Sequence, residues 1–197
     1  MALFVSAIIL AAGQGKRMGA QKLLLPMGGR TIIEKVVDVA VASKVNEVIV
    51  VLGYRAEEVA QVLAGKPVRL VVNPDYARGQ STSLIAGVRA ARPEAAALVF
   101  ILADQPFLTP DLINRLIEVY QTSACLIARP VFKDRPGHPV LLDASLIPEL
   151  LTLEGDTGAR EIVARYRDRV KLVPVTDEAV LLDVDTPEDY LRIQRAR

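Results

Sequence analysis

A chain of 197 residues, 51% hydrophobic and 24% charged, can bury a full core as one α/β domain, and its balance excludes disordered and disulfide-scaffold classes. Its 24 basic and 23 acidic side chains leave a net charge of +1. There is no bulk field of the kind that draws nucleic acid or an anionic membrane, so neither is expected as a partner. The single cysteine, Cys125 in "SACLIA", excludes an internal disulfide and a cysteine-built metal site; it reads as a buried small hydrophobe in a reducing compartment. The N-terminal "MALFVSAIILAA" lacks a basic leader region, and its apolar run is shorter than the ~20 residues that span a bilayer. A cytoplasmic location is expected.

Apolar, β-branched runs alternate with helical patterns along the first two-thirds: "FVSAIIL", "TIIEKVVDVAVASK", "EVIVVLG", "RAEEVAQVLAG", "VRLVVN", "STSLIAGVRAAR", "AALVFILAD" and "TPDLINRLIEVYQ". This alternation predicts βαβ units on a doubly wound, mostly parallel sheet with helices on both faces, its strands apolar throughout because both faces are covered. Thr109-Pro110 and Thr186-Pro187 each place a capping hydroxyl before a proline at the first helical position. Around residues 125–160 the pattern becomes irregular. "ARPVFKDRPGHPVLL" reads as a strand, a Pro/Gly-rich excursion and a second strand, where a substrate-specific insertion would sit. "DTGAREIVARY" follows as a helix, "KLVPV" and "AVLLDV" as strands, and "PEDYLRIQRAR" as a terminal helix. No repeat or long linker divides residues 1–197, so one domain is expected.

The loop after the first strand, "LAAGQGKRMGAQKLL" from Leu10 to Leu24, contains Gly13, Gly15 and Gly19. A dinucleotide fingerprint is G-x-G-x-x-G with the helix beginning inside it and an acid closing the second strand. Here the spacing is G-x-G-x-x-x-G, the first helix starts at Thr31, and the second strand ends in Gly53. A Walker loop fails as well, because Arg17 follows Gly15-Lys16 where a hydroxyl residue would hold the metal. What is left is a glycine-rich loop with Lys16, Arg17 and Lys22, whose backbone N–H groups and cations suit a triphosphate. The alternative is a surface loop with solvated charges.

The stretch resembles the L-A-[AG]-G-x-x-x-R-M-G-x-x-K signature of nucleotidyltransferases, in particular the branch that adds cytidylyl or guanylyl groups to the molybdenum cofactor. The likeness continues through "VVLGYRAEEV", "NPDYARGQSTSL", "LADQPFLTPDLI", "GHPVLL", "GDTGAR" and "LDVDTPEDY". It implies the Rossmann-like nucleotide-diphospho-sugar transferase fold, and transfer of a nucleotidyl group from CTP or GTP to a molybdopterin-type acceptor with release of pyrophosphate. "LAAG", "GQSTSL" and the "GHPVLL"/"GDTGAR" pair are more similar to the cytidylyl branch. The rivals are a guanylyltransferase, a nucleotidyltransferase for a sugar or alcohol phosphate, and a catalytically silent nucleotide-binding protein that escorts the cofactor to a molybdoenzyme.

"AALVFILADQP" and "AVLLDVDTP" share a design in which an apolar run meets a carboxylate and then Pro. Asp104 and Asp185 would converge at the sheet's C-terminal edge, where two carboxylates suit a mostly hydrated Mg²⁺. The resemblance implies Asp104 as main metal ligand and Asp185 as second, with Asp183 as an alternative on the same strand face. It further implies nucleotide contacts from Leu10, Ala11, Ala12, Gly13, Gly15, Lys16, Arg17, Met18, Gly19 and Lys22. Gly53 and Asn73 fall near base and ribose, and Gly79 and Ser83 at the pyrimidine. Lys22 and Asp104 are the expected catalytic pair. His138, Asp156 and Arg160 are expected to face the acceptor; the structural alternatives are a turn histidine and a helix N-cap.

Overall fold

The computed structural model describes residues 3–15, 18 and 21–196. In chain order these form β1 (Val5–Ala11), a 3₁₀ turn at Lys22–Leu24, β2 (Pro26–Met27), β3 (Arg30–Thr31), α1 (Ile32–Val41), β4 (Glu47–Leu52), α2 (Ala56–Val62) and β5 (Arg69–Val72). Next come α3 (Gln80–Ala90), β6 (Ala97–Leu102), α4 (Pro110–Thr122), β7 (Ile127–Phe132), β8 (Arg135–Pro136), β9 (Val140–Asp143) and α5 (Ile147–Leu150). The chain closes with α6 (Arg160–Arg165), β10 (Val170–Pro174), a 3₁₀ helix at Glu178–Leu181 and α7 (Pro187–Ala196). Among the described residues no helix is long and apolar enough to cross a membrane.

The main sheet runs β10-β7-β9-β6-β1-β4-β5, with β8 paired to β7. β5, β4, β1 and β6 are mutually parallel, as the repeated βαβ pattern requires. The irregular stretch supplies the antiparallel part: β7 and β8 form a hairpin, and β9 slots between β6 and β7 antiparallel to both. Period-two alternation divides the core. On β1, Val5, Ala7, Ile9 and Ala11 face a layer with α1 and α4, whereas Ile8 faces a layer with α3 and α5. Thr31 caps α1 in a reciprocal capping box with Glu34, and Thr109 accepts from the Leu112 N–H with Pro110 in the first turn of α4.

Three expectations change. "AVLLDV" is no strand: the Asp177 carboxylate accepts from the Ala179 N–H and starts the 3₁₀ helix instead. Val180 and Val184 then enter the core from a loop, so the apolar run reflects burial without pairing, and Asp183 and Asp185 share no strand face. Burial on both faces fails at β5, the sheet edge, where Val72 is 61% exposed. Cys125 is only partly buried, at the rim of the core.

α3 approaches the sheet closely through Gly87, where a Cβ would sit 2.4 Å from Ile8 Cγ2 and 3.1 Å from Val51 Cγ2. Gly87→Ala is expected to lose about 1–3 kcal/mol by overpacking despite its better helix propensity. An unchanged urea midpoint would show that α3 tolerates displacement.

Candidate active site

The chain runs outward from β1 to β4 and β5, then returns to place β6 on the other flank of β1. The crevice beyond the C-terminal ends of β1 and β6 is therefore the topological switch point, where open α/β sheets take their ligands. Lys22 reaches it from the segment after β1. Its 3₁₀ turn is pinned by Leu23, which is buried in the core, and by the Gln21 amide, which donates to the Tyr54 carbonyl at 2.8 Å. Asp104 enters two residues after β6. Its own carbonyl accepts from the Val184 N–H at 3.0 Å, which docks the segment carrying Asp185 beside it. A second device fixes Asp185 from below: the Asp189 carboxylate of α7 accepts from the N–H groups of Asp185 and Thr186 and from the Thr186 hydroxyl.

These three segments meet in one ion cluster. Lys22 Nζ donates to Asp104 Oδ2 at 2.7 Å and to Asp185 Oδ1 at 2.6 Å, with the lysine side chain only 11% exposed. Burial works against the ammonium, but Asp104 and then Asp185 outweigh it and hold the Lys22 pKa above its ordinary value. Asp183 does not bond to the lysine; burial, then the charges of Asp185 and Asp104, push its carboxyl above the usual range. Asp104 Oδ1 is buried without a hydrogen-bond partner. Two carboxylates around a position that already stabilises a cation, with one oxygen unspent, fit a hard divalent ion that draws its other ligands from water and phosphate. Among the described residues no cluster of three or more acidic, histidine or cysteine side chains offers a fuller cage.

The residues expected to contact the nucleotide are placed as follows. Leu10 and Ala12 offer carbonyls that accept from Ala103 N–H and Tyr54 N–H, and Ala11 and Ala12 are buried. Gly13 faces open space. Gly15 has φ +56°, and its carbonyl accepts from the Met18 N–H at 2.9 Å. Lys16, Arg17 and Gly19 lie outside the described residues. A side chain on Gly53 would collide with Tyr76 and Ala12, its Cβ falling 2.7 Å and 2.8 Å from their Cβ atoms. Asn73 is buried and donates to the Thr82 and Ser83 hydroxyls at 2.8 and 2.9 Å. Its amide thus organises the start of α3, and Ser83 is buried beside it.

The expected acceptor-side residues divide. The Asp156 carboxylate accepts from the Gln80 N–H at 2.9 Å and so caps α3 from across the crevice, as the N-cap alternative anticipates, though on a different helix. Gly79, at φ +119°, allows this approach; a Cβ there would lie 2.4 Å from the Gly155 carbonyl oxygen. His138 is held by its N–H, which donates to the Val180 carbonyl at 3.0 Å. Burial, then Arg129 and Arg160, lower its pKa to about 4, so the ring is neutral at pH 7. Arg160 is exposed and joins the same field. Arg129 is the charged residue that sequence reasoning passed over. Its one signal was an arginine inside the otherwise apolar strand "IARPVF".

A mostly parallel sheet with a lysine and two carboxylates at its switch point defines an α/β nucleotidyltransferase architecture. The model of the MobA-like NTP transferase domain matches residues 7–170, and the chain belongs to that family. It is 36% identical to nicotine blue oxidoreductase of Paenarthrobacter nicotinovorans over 96% of each chain. It is 30% identical to molybdenum cofactor cytidylyltransferase of Escherichia coli K12, covering 95% of this chain and 94% of that one. The crystal structure of Rv0371c from Mycobacterium tuberculosis H37Rv superposes with a TM-score of 0.90 at 32% identity, covering 99% of both chains. A second crystal structure of Rv0371c, in complex with manganese, superposes at 0.85 and 31% identity over 98% of this chain and 100% of that one.

Two outcomes follow from the site's geometry. Because the His138 pKa is lower in the folded chain than the ordinary 6.5, the unfolded chain takes up that proton first. The contribution of the neutral ring is complete above about pH 6.5 and is lost as pH falls toward 4. NMR titration of this single histidine should give a midpoint well under 6, and His138→Gln should flatten the stability profile in that window. Asp156→Ala removes the cap on Gln80 and should lower stability by about 0.5–2 kcal/mol; no loss in chemical denaturation would free Asp156 for a ligand-facing role alone.

Proposed function

We propose that the protein transfers a cytidylyl group from CTP to the phosphate of a molybdopterin-type acceptor, releasing pyrophosphate, with Mg²⁺ as the metal. The observation that carries the reaction class is the Lys22 ammonium held between Asp104 and Asp185 at the switch point. The acceptor and the choice of CTP over GTP rest on likeness: the cytidylyltransferase relative, and the "LAAG", "GQSTSL", "GHPVLL" and "GDTGAR" elements.

An oxygen of the acceptor phosphate forms a bond to the α-phosphorus, and the bond from that phosphorus to the α–β bridging oxygen breaks, its electron pair leaving with pyrophosphate. The acceptor monoester has a second pKa of about 6 and is ionised at neutral pH, so no strong base is required. That agrees with a crevice whose only histidine is neutral and on the acceptor side. Asp104, through its unspent Oδ1, and Asp185 would hold a divalent ion, which when bound supplies Lewis-acid neutralisation of the triphosphate oxygens. Lys22 orients the triphosphate and offsets charge on the departing pyrophosphate. Gly13 and Gly15 leave the backbone open to phosphate oxygens. The Asn73–Ser83 pair and Gly79 form the wall against base and ribose, and His138 and Arg160 face the acceptor. A molybdoenzyme is the natural recipient of the product.

The 36% identity to nicotine blue oxidoreductase favours a second reading, an oxidoreductase rather than a transferase. The glycine spacing and Gly53 in place of a ribose-binding acid speak for the first.

Purified protein with Mg²⁺, CTP or GTP, and molybdenum cofactor should release pyrophosphate with CTP. Release only with GTP would move the base assignment, and no release with any acceptor would favour the escort protein. Turnover of nicotine blue by oxidation or reduction, without pyrophosphate release, would establish the oxidoreductase. Lys22→Ala and Asp104→Ala should each lose roughly a hundredfold or more in rate while keeping a folded circular dichroism spectrum. Near-normal turnover in either variant would sink the mechanism.

A further inference from the structure

The ammonium that closes the ion cluster stands where a metal cation would bind. Lys22 Nζ lies 2.7 Å from Asp104 Oδ2 and 2.6 Å from Asp185 Oδ1, so the lysine already offsets one of the two carboxylate charges. Asp104 Oδ1, the oxygen the lysine leaves over, is buried. An ion that keeps most of its water cannot reach that oxygen while the cluster is closed. The backbone beneath both carboxylates is held without the lysine. The Val184 N–H donates to the Asp104 carbonyl at 3.0 Å, and the Asp189 carboxylate accepts from the Asp185 and Thr186 N–H groups at 3.3 and 3.0 Å. The backbone of the lysine is held as well. Its carbonyl accepts from the Leu25 N–H at 3.1 Å, the Gln21 carbonyl accepts from the Leu24 N–H at 3.0 Å, and Leu23 is buried. What remains adjustable is the four-carbon stem of Lys22, the one long flexible side chain of the three.

We propose that Lys22 is a built-in counter-ion lock: its ammonium fills the space between Asp104 and Asp185 until a polyphosphate anion draws it away, so that a divalent ion and the polyphosphate bind interdependently. The identity of the polyphosphate as a nucleoside triphosphate rests on the nucleotidyl-transfer reading above; the exclusion of a lone divalent ion by the lysine does not. A divalent ion by itself must break a pair of charge-assisted hydrogen bonds. It also leaves the ammonium of a side chain only 11% exposed without its partners. A polyphosphate supplies new ones, and the stem need only exchange carboxylate oxygens for phosphate oxygens. Each ligand then removes the obstacle to the other, which is positive coupling between two sites. Before either arrives, the lock keeps the two carboxylates from repelling each other and from repelling incoming phosphate.

Mn²⁺ alone is the first probe, its free concentration read from the electron paramagnetic resonance of the hydrated ion. Lys22→Met, which keeps an unbranched stem and removes the charge, should bind Mn²⁺ about tenfold or more tighter than the wild type, within the usual range of coupling between sites. Equal or weaker affinity in the folded variant, or no binding by either protein, overturns the proposal. A second measurement follows the ammonium itself in the wild type, and so needs no variant to fold: trace acetylation of the full-length protein by limiting acetic anhydride, with Lys22 read by peptide mass spectrometry. Lys22 should be protected in the metal-free protein. Its labelling should rise several-fold once Mn²⁺ is bound and fall again when inorganic triphosphate is added with the Mn²⁺. Labelling that stays constant while the resonance shows Mn²⁺ bound overturns the proposal. Both readouts are independent of turnover. Pyrophosphate release beside unchanged Mn²⁺ affinity in Lys22→Met removes the lock and keeps the transfer reading; tighter Mn²⁺ binding by Lys22→Met beside no pyrophosphate release from the wild type removes the transfer reading and keeps the lock.

Discussion

The bond pair from Lys22 Nζ to Asp104 and Asp185 is the constraint around which the crevice is organised. It joins the segment after β1, the segment after β6 and the loop before α7, which lie far apart in the chain and have no common strand. Removing the lysine would leave two carboxylates close together with their repulsion uncompensated. Removing the carboxylates would leave an ammonium in a nearly closed pocket. The cluster is therefore stable only as a set, and it keeps charged groups assembled where substrate charge is to be managed.

The loop that replaces the expected last strand distributes this constraint. Val180 carries the carbonyl that receives His138 N–H, and Val184 carries the N–H that binds the Asp104 carbonyl. Asp185 ends the same stretch in the ion cluster. One short segment of 3₁₀ helix and loop thus connects the excursion between β7 and β9 to the ion cluster. A strand would have spent these N–H and C=O groups on a sheet neighbour. The departure from regular pairing is what frees them.

Across the crevice the chemistry is partitioned. One wall is built from the regular βαβ part, with small residues at strand ends and an Asn–Ser pair at the head of α3. The other wall is built from the irregular part, a β-hairpin, an inserted antiparallel strand and the loop at 154–158 that crosses back to cap α3 through Asp156. Sites grafted on a shared scaffold diverge at such insertions. That is consistent with a family whose members include a cytidylyltransferase and a protein named as an oxidoreductase.

Much of the scaffold was legible before any coordinates. The alternation of apolar runs and helical faces determined the parallel strands, because burial on both faces demands continuous apolar sequence. The Thr109 and Thr186 caps were readable because capping is decided within four residues. The loop chemistry of "LAAGQGKRMGAQKLL" and the candidacy of Lys22, Asp104 and Asp185 were visible from residue type and spacing. Tertiary structure alone decided that Asp185 rather than Asp183 meets the lysine, since that depends on a Val184 N–H reaching a carbonyl eighty residues away. It alone turned "AVLLDV" into a 3₁₀ helix and loop, assigned Asp156 to a helix it does not precede, and directed the Arg129 guanidinium at the Gly137 carbonyl. Local sequence encodes hydrogen bonds closed within a turn and the periodicity of burial; it carries no record of which distant charge will stand opposite another.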